Sequence, residues 1–408
     1  MGKFDDLRKD FPMLERQVNN KPFIYLNSAA TTLKPRQVVE AMDTYYYTYG
    51  GTINRGVDSV GYEATLAYEA VRTQVAEFIG AKDPNTIVFT RGTTTSINMI
   101  ASSFGELIIE AGDEIVVCLS EHHANYIPWQ QLAKRKGAKL ILAPLNDFGG
   151  VTPEGLQSVL SAKTKIVGLH HISNVLGSHN DVKRLAELTH EVGAYFVVDG
   201  AQGIVHEAVD VTDMDCDFYA FSAHKMVGPT GVGVLYGKAE LLAKMPPTEF
   251  GGEMNHIVDI YDTSFKDAPH KFEAGTMMIA EVIGMGAAIS YIEAIGIQAI
   301  HDHVSALREY AVEQLKQVAN IEIYNEHNHS SGIITYNHIG IHPHDAATVY
   351  DREGISMRSG HHCAQPLLTW LHQPATLRMS LYLYNNKADV DQWIVAAKQA
   401  DSFLDALF

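Results

Sequence analysis

A lysine and an aspartate at the ends of two apolar segments are the residues in this sequence that most strongly indicate chemistry. Lys225 follows an apolar run, and the pair Gly228-Pro229 just beyond it cannot continue a strand. Asp199 ends a second apolar run, residues 195–199. Because α/β sheets bind ligands at strand ends, the two side chains are expected to share a site. A lysine for an aldehyde and a carboxylate for a pyridinium nitrogen together predict pyridoxal phosphate.

A turn rich in threonine gives a second candidate for binding the same cofactor. Residues 90–96 link a predicted strand to a predicted helix, and Thr94 lies within them. Free N–H groups at a helix start bind anions, although an ordinary Ser/Thr helix cap has the same sequence pattern. Because a lysine-bound cofactor also needs its phosphate held, we predict the phosphate site here. Three polar neighbours of the lysine and aspartate join the candidates: Ser222, His224 and Gln202.

Two other predicted strands end in polar residues. His123 follows the strand-like run 114–119, where its ring could stack on a pyridine ring, transfer a proton or simply cap the next segment. Asn174 follows the run 165–169. Since both runs are predicted to belong to the same sheet, we expect both side chains at the edge that holds the lysine.

Two arginines and a cysteine near the C-terminus predict a substrate site. Arg378 alternates with apolar residues in a short strand, and its planar guanidinium suits the carboxylate of an amino acid. An isolated arginine on an edge strand would instead be a surface residue. Arg358 precedes a polar Gly/His loop that contains Cys363. Because neighbouring positive charge favours a thiolate, we interpret Cys363 as a reactive cysteine.

The elements that must position these residues alternate along the chain. From residue 60 to about 240, strand-like runs alternate with helical spacing, which predicts an α/β fold with a mostly parallel, doubly wound sheet. After residue 275, two long helical stretches, short strands and a last helix predict a smaller α+β domain. We expect residues 1–30 to join the small domain, residues 31–275 to form the large cofactor-binding domain, and residues 276–408 to form the small domain with the cysteine loop.

Composition narrows the class of protein. The chain has 408 residues, of which 46% are hydrophobic and 19% charged, and its net charge of −17 argues against a nucleic-acid partner. With neither a long apolar run nor a signal-peptide core, we expect no membrane association. The 3 cysteines are far apart, which indicates a reduced, cytoplasmic protein. The 20 histidines form no zincin or CxxC-type pattern, so we expect no metal site.

These motifs together resemble the class V aminotransferase group of fold-type I pyridoxal-phosphate enzymes, and within it the cysteine desulfurases of the Suf/Csd type. The motif around Lys225 marks the wider group, whereas the loop Gly360-His361-His362-Cys363-Ala364-Gln365-Pro366 is the specific signal for this branch. The resemblance runs almost end to end. It covers residues 26–32, 90–98, 199–202, 221–231, 273–276 and 360–366.

The resemblance implies a role for each candidate residue. Lys225 would bind the cofactor covalently and serve as base, Arg378 would bind the substrate carboxylate, and Cys363 would receive sulfur as a persulfide. The other cofactor contacts would be Asp199 at the ring nitrogen, Gln202 at the phenolic oxygen, His123 on the ring, and Thr94, Ser222 and His224 at the phosphate. Thr276 would come from the partner subunit of a homodimer. Asn174 would line both the cofactor site and the substrate pocket, and the substrate pocket would also include Arg358 and Arg55.

The implied reaction converts L-cysteine to L-alanine and passes the sulfur to an acceptor. Selenocysteine and cysteine sulfinate are alternative substrates that the sequence leaves open. The loop around Cys363 is short and stiffened by Pro366, which resembles the branch that depends on a small acceptor protein of the SufE/CsdE type. Whether the sulfur enters iron–sulfur cluster assembly, thiolated nucleosides or selenium metabolism is also left open.

The sequence departs from the family pattern at one position and leaves two alternative functions open. Relatives often carry His-Arg where this chain has Asn54-Arg55, so a role for that histidine does not carry over. The first alternative is another enzyme on the same scaffold, such as a selenocysteine lyase, an aminotransferase or a β-lyase, and dependence on Cys363 would separate it. The second is a non-catalytic scaffold for a sulfur-transfer partner, which the complete set of cofactor residues disfavours.

Overall fold

The computed structural model describes residues 3–54 and 57–405, with side chains described as far as residue 400. Its strands, numbered along the chain, are β1 (Gln17–Val18), β2 (Lys21–Pro22), β3 (Ile24–Tyr25), β4 (Ile87–Thr90), β5 (Glu114–Cys118), β6 (Lys139–Ala143), β7 (Thr164–His170), β8 (Tyr195–Asp199), β9 (Phe218–Ser222), β10 (Gly233–Gly237), β11 (Asn255–Val258), β12 (Thr263–Phe265), β13 (Ile321–Ile323), β14 (Ile333–His338), β15 (Ile355–Ser356), β16 (Arg358–Gly360) and β17 (Thr376–Ser380).

The helices are numbered in the same way. They are α1 (Lys3–Leu7), α2 (Arg36–Thr48), α3 (Ser59–Phe78), α4 (Thr93–Ile100), α5 (Glu106–Ile108), α6 (Ile127–Lys136), α7 (Pro153–Gln157), α8 (Val182–Glu191), α9 (Gly203–His206), α10 (Val211–Met214), α11 (Ala239–Lys244), α12 (Ile279–Ile295), α13 (Ile297–Leu315), α14 (Pro343–Arg352), α15 (Gln365–Trp370) and α16 (Lys387–Asp405).

A seven-stranded sheet carries the cofactor side of the molecule, in the order β4-β10-β9-β8-β7-β5-β6. The strands from β9 to β6 are parallel, while β10 runs antiparallel to both of its neighbours. Strands such as β9 are buried along their whole length, which explains their continuous apolar sequences. The prediction of an α/β fold with a mostly parallel sheet is confirmed.

The carboxyl ends of the parallel strands lie at one edge of this sheet. β8 ends at Asp199 and β9 at Ser222, three residues before Lys225. β5 and β7 end shortly before His122 and Asn174 respectively. Four separate segments of the chain therefore deliver polar groups to the same edge.

A second, antiparallel sheet has the order β13-β14-β17-β16. Across its β16–β17 pair, Arg358 lies directly opposite Arg378. The N-terminal segment is tied to this region, because β3 pairs with β15 and Asn27 bridges to Ser380. The substrate-side arginines are thus held by a sheet other than the one that carries Lys225.

Helix α12 is apolar around much of its circumference because it is enclosed by the protein. Its buried residues include Val282, Met285 and Ile289, and it packs against α2 and α3. No single helix in the described ranges is long and apolar enough to cross a membrane. The consecutive helices α12 and α13, which are bent by 74° relative to each other, reach that length and apolar composition only when they are taken together.

Candidate active site

Lys225 lies in a short 3-10 turn, residues 223–225, directly after β9. It lines a cavity of about 140 Å³ whose wall also includes Asp199, Asn174 and Arg378. Burial lowers the pKa of Lys225 to about 8, and this effect outweighs the opposing influence of Asp199. A lysine amine with such a pKa is partly neutral near pH 7, as a nucleophile or a base must be.

Asp199 lies at the carboxyl end of β8, beside the strand that leads to Lys225. Its side chain is buried, and Oδ1 accepts a hydrogen bond of 3.0 Å from the Ala201 N–H. Burial raises the pKa of Asp199, whereas the positive charge of Lys225 lowers it. A carboxylate in such a place is stabilised by a positively charged group inside the cavity.

The predicted phosphate turn joins β4 to α4 and reaches the same cavity. Gly92 has a φ of 147°, and a Cβ there would lie 3.1 Å from Ser222 Oγ. Ser222 Oγ accepts a hydrogen bond of 2.8 Å from the Thr93 N–H, while the exposed Thr94 lines the cavity. Thr93, Thr94 and Ser222 thus form one corner of the cavity, which combines hydroxyl groups with the N-terminus of a helix. Such a combination binds a phosphate.

His224 and Gln202 occupy the neighbouring wall. His224 lines the cavity, and burial, with the charges of Lys225 and Lys34, lowers its pKa to about 4, which keeps its ring neutral. Gln202 is buried just beside the cavity, with its Nε2 donating to the Ala29 carbonyl at 2.9 Å. Both residues are therefore close to where the sequence predicts them.

Arg378 is fully buried on β17 and has free hydrogen-bonding capacity. Its Nη1 donates to the Asn174 carbonyl at 2.6 Å. Nε and Nη2 are buried and find no hydrogen-bond partner among the described residues. Since buried donors are nearly always satisfied, the two free nitrogens at the cavity indicate an acceptor that comes from outside the chain. A carboxylate fits this pair of donors.

Cys363 lies in a tightly held loop between the two sheets. Both His362 and Cys363 have left-handed backbones, with φ of 53° and 57°, which residues with side chains rarely adopt. Asn174 Nδ2 donates to the His362 carbonyl at 2.8 Å, and Arg358 Nη2 lies 3.3 Å from the Cys363 sulfur. The half-buried thiol also lines an outer cavity of about 490 Å³, so it is accessible from solvent.

The predicted stacking of His123 does not agree with its contacts. His123 N–H donates to the Cys363 carbonyl at 2.7 Å, and its Nε2 accepts from the Gln365 N–H at 3.1 Å, so it binds the cysteine loop. The residue on the Lys225 cavity is the preceding one, His122. Burial, with a smaller contribution from Lys225, lowers the pKa of His122 to about 3. His122 was missed because two adjacent histidines give the same signal in sequence.

One other predicted residue, Thr276, is not brought to the cavity. Thr276 is exposed and lines a different pocket, together with Asn54 and Glu273. Within one chain it therefore does not meet Lys225. Arg55 lies outside the described residues.

Two clusters in the described ranges have side chains that could bind a metal: His171, His179 and Glu207, and Cys118, Glu121 and His170. In the first, His171 Nε2 lies 2.6 Å from Glu207 Oε1. In the second, His170 Nδ1 lies 2.7 Å from Glu121 Oε1. Such distances are typical of directly paired groups. The absence of a metal stays a prediction.

Comparison with known proteins agrees with this geometry. The model of the family "Aminotransferase class-V" matches residues 24–393. The chain belongs to the class-V aminotransferase family. A protein of Halalkalibacterium halodurans named probable cysteine desulfurase is 47% identical over 403 residues, 99% of each chain. One of Staphylococcus epidermidis with the same name is 52% identical over 401 residues, 98% of this chain and 97% of that one.

Solved structures give the same result in three dimensions. The cysteine desulfurase CsdA of Escherichia coli superimposes with a TM-score of 0.92 at 39% identity, and 99% of each chain is covered. A cysteine desulfurase of Thermococcus onnurineus superimposes with a TM-score of 0.93 at 36% identity, and 98% of each chain is covered. The fold of a class-V aminotransferase therefore extends over nearly the whole protein.

The cavity fits the pyridoxal phosphate of this family. Lys225 offers an amine for the aldehyde, and Asp199 offers a buried carboxylate for the ring nitrogen. Thr94, Ser222 and His224 surround the corner with anion-binding groups. Arg378, with its two free nitrogens, lines the same cavity, where a substrate carboxylate would bind.

Proposed function

We propose that this protein is a pyridoxal-phosphate-dependent cysteine desulfurase, which converts L-cysteine to L-alanine and transfers the sulfur to Cys363. The observation that carries the proposal is the position of Cys363: its sulfur is contacted by Arg358, and both residues influence the pKa of Lys225 through their charges. A reactive thiol near the cofactor lysine is needed by a desulfurase and not by an aminotransferase. The likeness to the named cysteine desulfurases over nearly the full chain supports it.

Substrate binding is the first task of the chain's own residues. Arg378 has two unpaired guanidinium nitrogens, which bind the α-carboxylate of L-cysteine. Its third nitrogen is fixed to the Asn174 carbonyl, so the fork is held in one orientation before substrate arrives. A fixed orientation places the Cα–H bond and the thiol of the substrate consistently between Lys225 and Cys363.

Proton transfer is assigned to Lys225. Its lowered pKa allows the amine to take the Cα proton and later to return a proton to the carbon skeleton. When bound, pyridoxal phosphate supplies an electron sink for the bonds that break at the substrate, and Asp199 stabilises the protonated ring nitrogen.

Sulfur transfer is assigned to Cys363. Its thiolate attacks the substrate sulfur, so an S–S bond forms while the Cβ–S bond breaks. The electron pair of the broken bond stays on the carbon skeleton, which is protonated and leaves as alanine. The sulfur on Cys363 is a persulfide, and Arg358 stabilises negative charge at this position.

A homodimer is part of the proposal. Thr276 lies in a pocket of its own with Asn54, so it could reach a Lys225 cavity only in a second copy. Large apolar side chains are also exposed, among them Tyr47, Tyr62, Ile260 and Tyr261. A contact between two copies would bury apolar side chains of this kind. We further propose a cytoplasmic location and a small SufE/CsdE-type acceptor, which would pass the sulfur to pathways such as iron–sulfur cluster assembly.

The experiment that tests the function measures alanine release and persulfide labelling with L-cysteine, for the wild type and Cys363→Ala, with and without a candidate acceptor. Cys363→Ala should release no alanine at a significant rate and carry no labelled persulfide. A variant that still releases sulfur at the full rate would show that Cys363 is not the acceptor. Cleavage of selenocysteine alone by that variant would support a selenocysteine lyase instead.

A further inference from the structure

The backbone carbonyl of His224, the residue before Lys225, accepts hydrogen bonds from four donors. They are the Thr32 N–H at 3.0 Å, Thr31 Oγ at 3.0 Å, Thr32 Oγ at 3.1 Å and Lys34 Nζ at 2.9 Å. A carbonyl oxygen has two lone pairs, so four donors are more than the two that its hydrogen-bonding capacity requires. The N-terminal segment is thus fastened to the turn that carries the reactive lysine.

The turn itself adopts a backbone that needs such support. Val227, two residues after Lys225, has a φ of 55°, in the left-handed region that β-branched residues avoid. Its N–H donates to Thr32 Oγ at 2.8 Å. Residues 31–34 therefore contact the turn on both sides of Lys225, and they contribute to holding it in a strained conformation.

Lys34 is an unexpected residue for a purely structural contact. Its Nζ donates to the carbonyls of His224 and Thr32, and no carboxylate within the described ranges forms an ion pair with it. Burial lowers the pKa of Lys34 to about 7. Near pH 7 the amine is therefore only partly protonated, and a neighbouring negative group would raise the protonated fraction and give the charge a use.

The surroundings of Lys34 indicate what that use is. Its positive charge acts on His224, which lines the cavity beside Ser222 and Thr94. This is the corner that fits the phosphate of the cofactor. Lys34 itself does not line the cavity, so any effect on the cofactor is transmitted through the His224 carbonyl and through space.

We propose that Lys34 is a positioning residue for the cofactor: it fixes the His224–Lys225 turn through the His224 carbonyl and places a positive charge behind the phosphate corner. The inference rests on the proposed function only in taking Lys225 as the residue that binds pyridoxal phosphate. It assigns a role in cofactor capture to a residue that touches neither the substrate nor the cavity.

The test uses the full-length apoprotein and pyridoxal phosphate. Lys34→Met removes donor and charge, Lys34→Arg keeps both, and Thr31→Val removes one neighbouring donor. Lys136→Met is the matched control, since Lys136 also donates to a carbonyl, that of Glu106, but lies outside the cavity. The measurements are the rate of covalent capture and the dissociation constant by absorption, and the melting temperatures of the apo and loaded proteins.

Lys34→Met should bind pyridoxal phosphate about tenfold more weakly and capture it about tenfold more slowly, because a small misplacement of a reacting group is costly. The melting temperature of the apoprotein should change by less than about 3 °C, and that of the loaded protein should fall further. Lys34→Arg should restore most of the affinity, and Lys136→Met should leave it unchanged.

The proposal is overturned if Lys34→Met captures the cofactor at the wild-type rate. It is also overturned if the variant keeps its affinity while the melting temperatures of the apo and loaded proteins fall equally. If Lys34→Met does not fold, Thr31→Val decides: slower capture with a normal apoprotein supports the role of the contact, and wild-type capture rejects it. Failure of the wild-type apoprotein to capture the cofactor would instead overturn the proposed function.

Discussion

Arg358 Nη2 lies 3.3 Å from the sulfur of Cys363 and donates a hydrogen bond to it. The same arginine pairs across the strands with Arg378, whose guanidinium is buried at the substrate end of the cavity. One short pair of strands therefore presents positive charge both to the sulfur acceptor and to the substrate carboxylate.

We predict that Arg358→Met makes Cys363 react about tenfold more slowly with iodoacetamide, because the lost donor no longer stabilises charge on the sulfur. The measurement is site-resolved alkylation by mass spectrometry. Cys118 and Cys216 serve as internal controls, since burial raises the pKa of both thiols and keeps them unreactive. An alkylation rate equal to that of the wild type would remove the assigned role of Arg358.

Substitution of each residue should distinguish the roles of His122 and His123. His122→Ala should change the absorption spectrum of bound pyridoxal phosphate, because His122 lines the cofactor cavity. His123→Ala should leave the spectrum unchanged but alter the alkylation rate of Cys363, because His123 bonds to the cysteine loop. The reverse pattern would restore the stacking role that the sequence predicts for His123.

Arg378→Lys should raise the KM for L-cysteine by about tenfold to a hundredfold, since a lysine cannot replace two parallel donors and charged hydrogen bonds contribute about 1.5–3 kcal/mol. Steady-state alanine release gives KM and kcat separately. The matched control is Arg308→Lys, because Arg308 is equally buried but donates to backbone carbonyls away from the cavity. A KM that does not change would place the carboxylate elsewhere.

The rate at which the apoprotein captures pyridoxal phosphate should rise with pH through a midpoint of about 8. Burial lowers the pKa of Lys225 to about 8, and only the neutral amine attacks an aldehyde, so the reactive fraction grows as pH increases through that value. Asp199 opposes the lowering, so Asp199→Asn should move the midpoint to lower pH. Stopped-flow absorption measures both, and a midpoint near 10 would contradict the assigned environment of Lys225.

Much of this site could be predicted from the sequence, because it is built from strand ends. Apolar runs followed by polar residues predict that Asp199 and Lys225 lie at strand ends, and the parallel order of the strands brings both residues to one cavity. Arg378 is predictable for a similar reason, since its neighbours alternate in a strand. The shared edge of a parallel sheet is a simple geometric rule, and sequence is sufficient to apply it.

The remaining residues depend on contacts that sequence does not encode locally. Which of His122 and His123 faces the cavity is decided by a single 3-10 turn, residues 123–125, and by its bonds to the distant cysteine loop. Thr276 lines a different pocket of its own chain, so its predicted role at the cofactor stays a prediction. The division of the chain at residues 30 and 275 stays a prediction.

Asn174 links the cysteine loop to the arginine that is proposed to bind the substrate. Its side chain holds the His362 carbonyl at 2.8 Å, and its own carbonyl holds Arg378 at 2.6 Å. The His123 N–H holds the Cys363 carbonyl as well. At about 1 kcal/mol each, the two bonds to the cysteine loop stabilise its position by about 2 kcal/mol. Loss of the Asn174 side chain would therefore loosen the loop that carries Cys363 while leaving the backbone carbonyl that orients Arg378 in place.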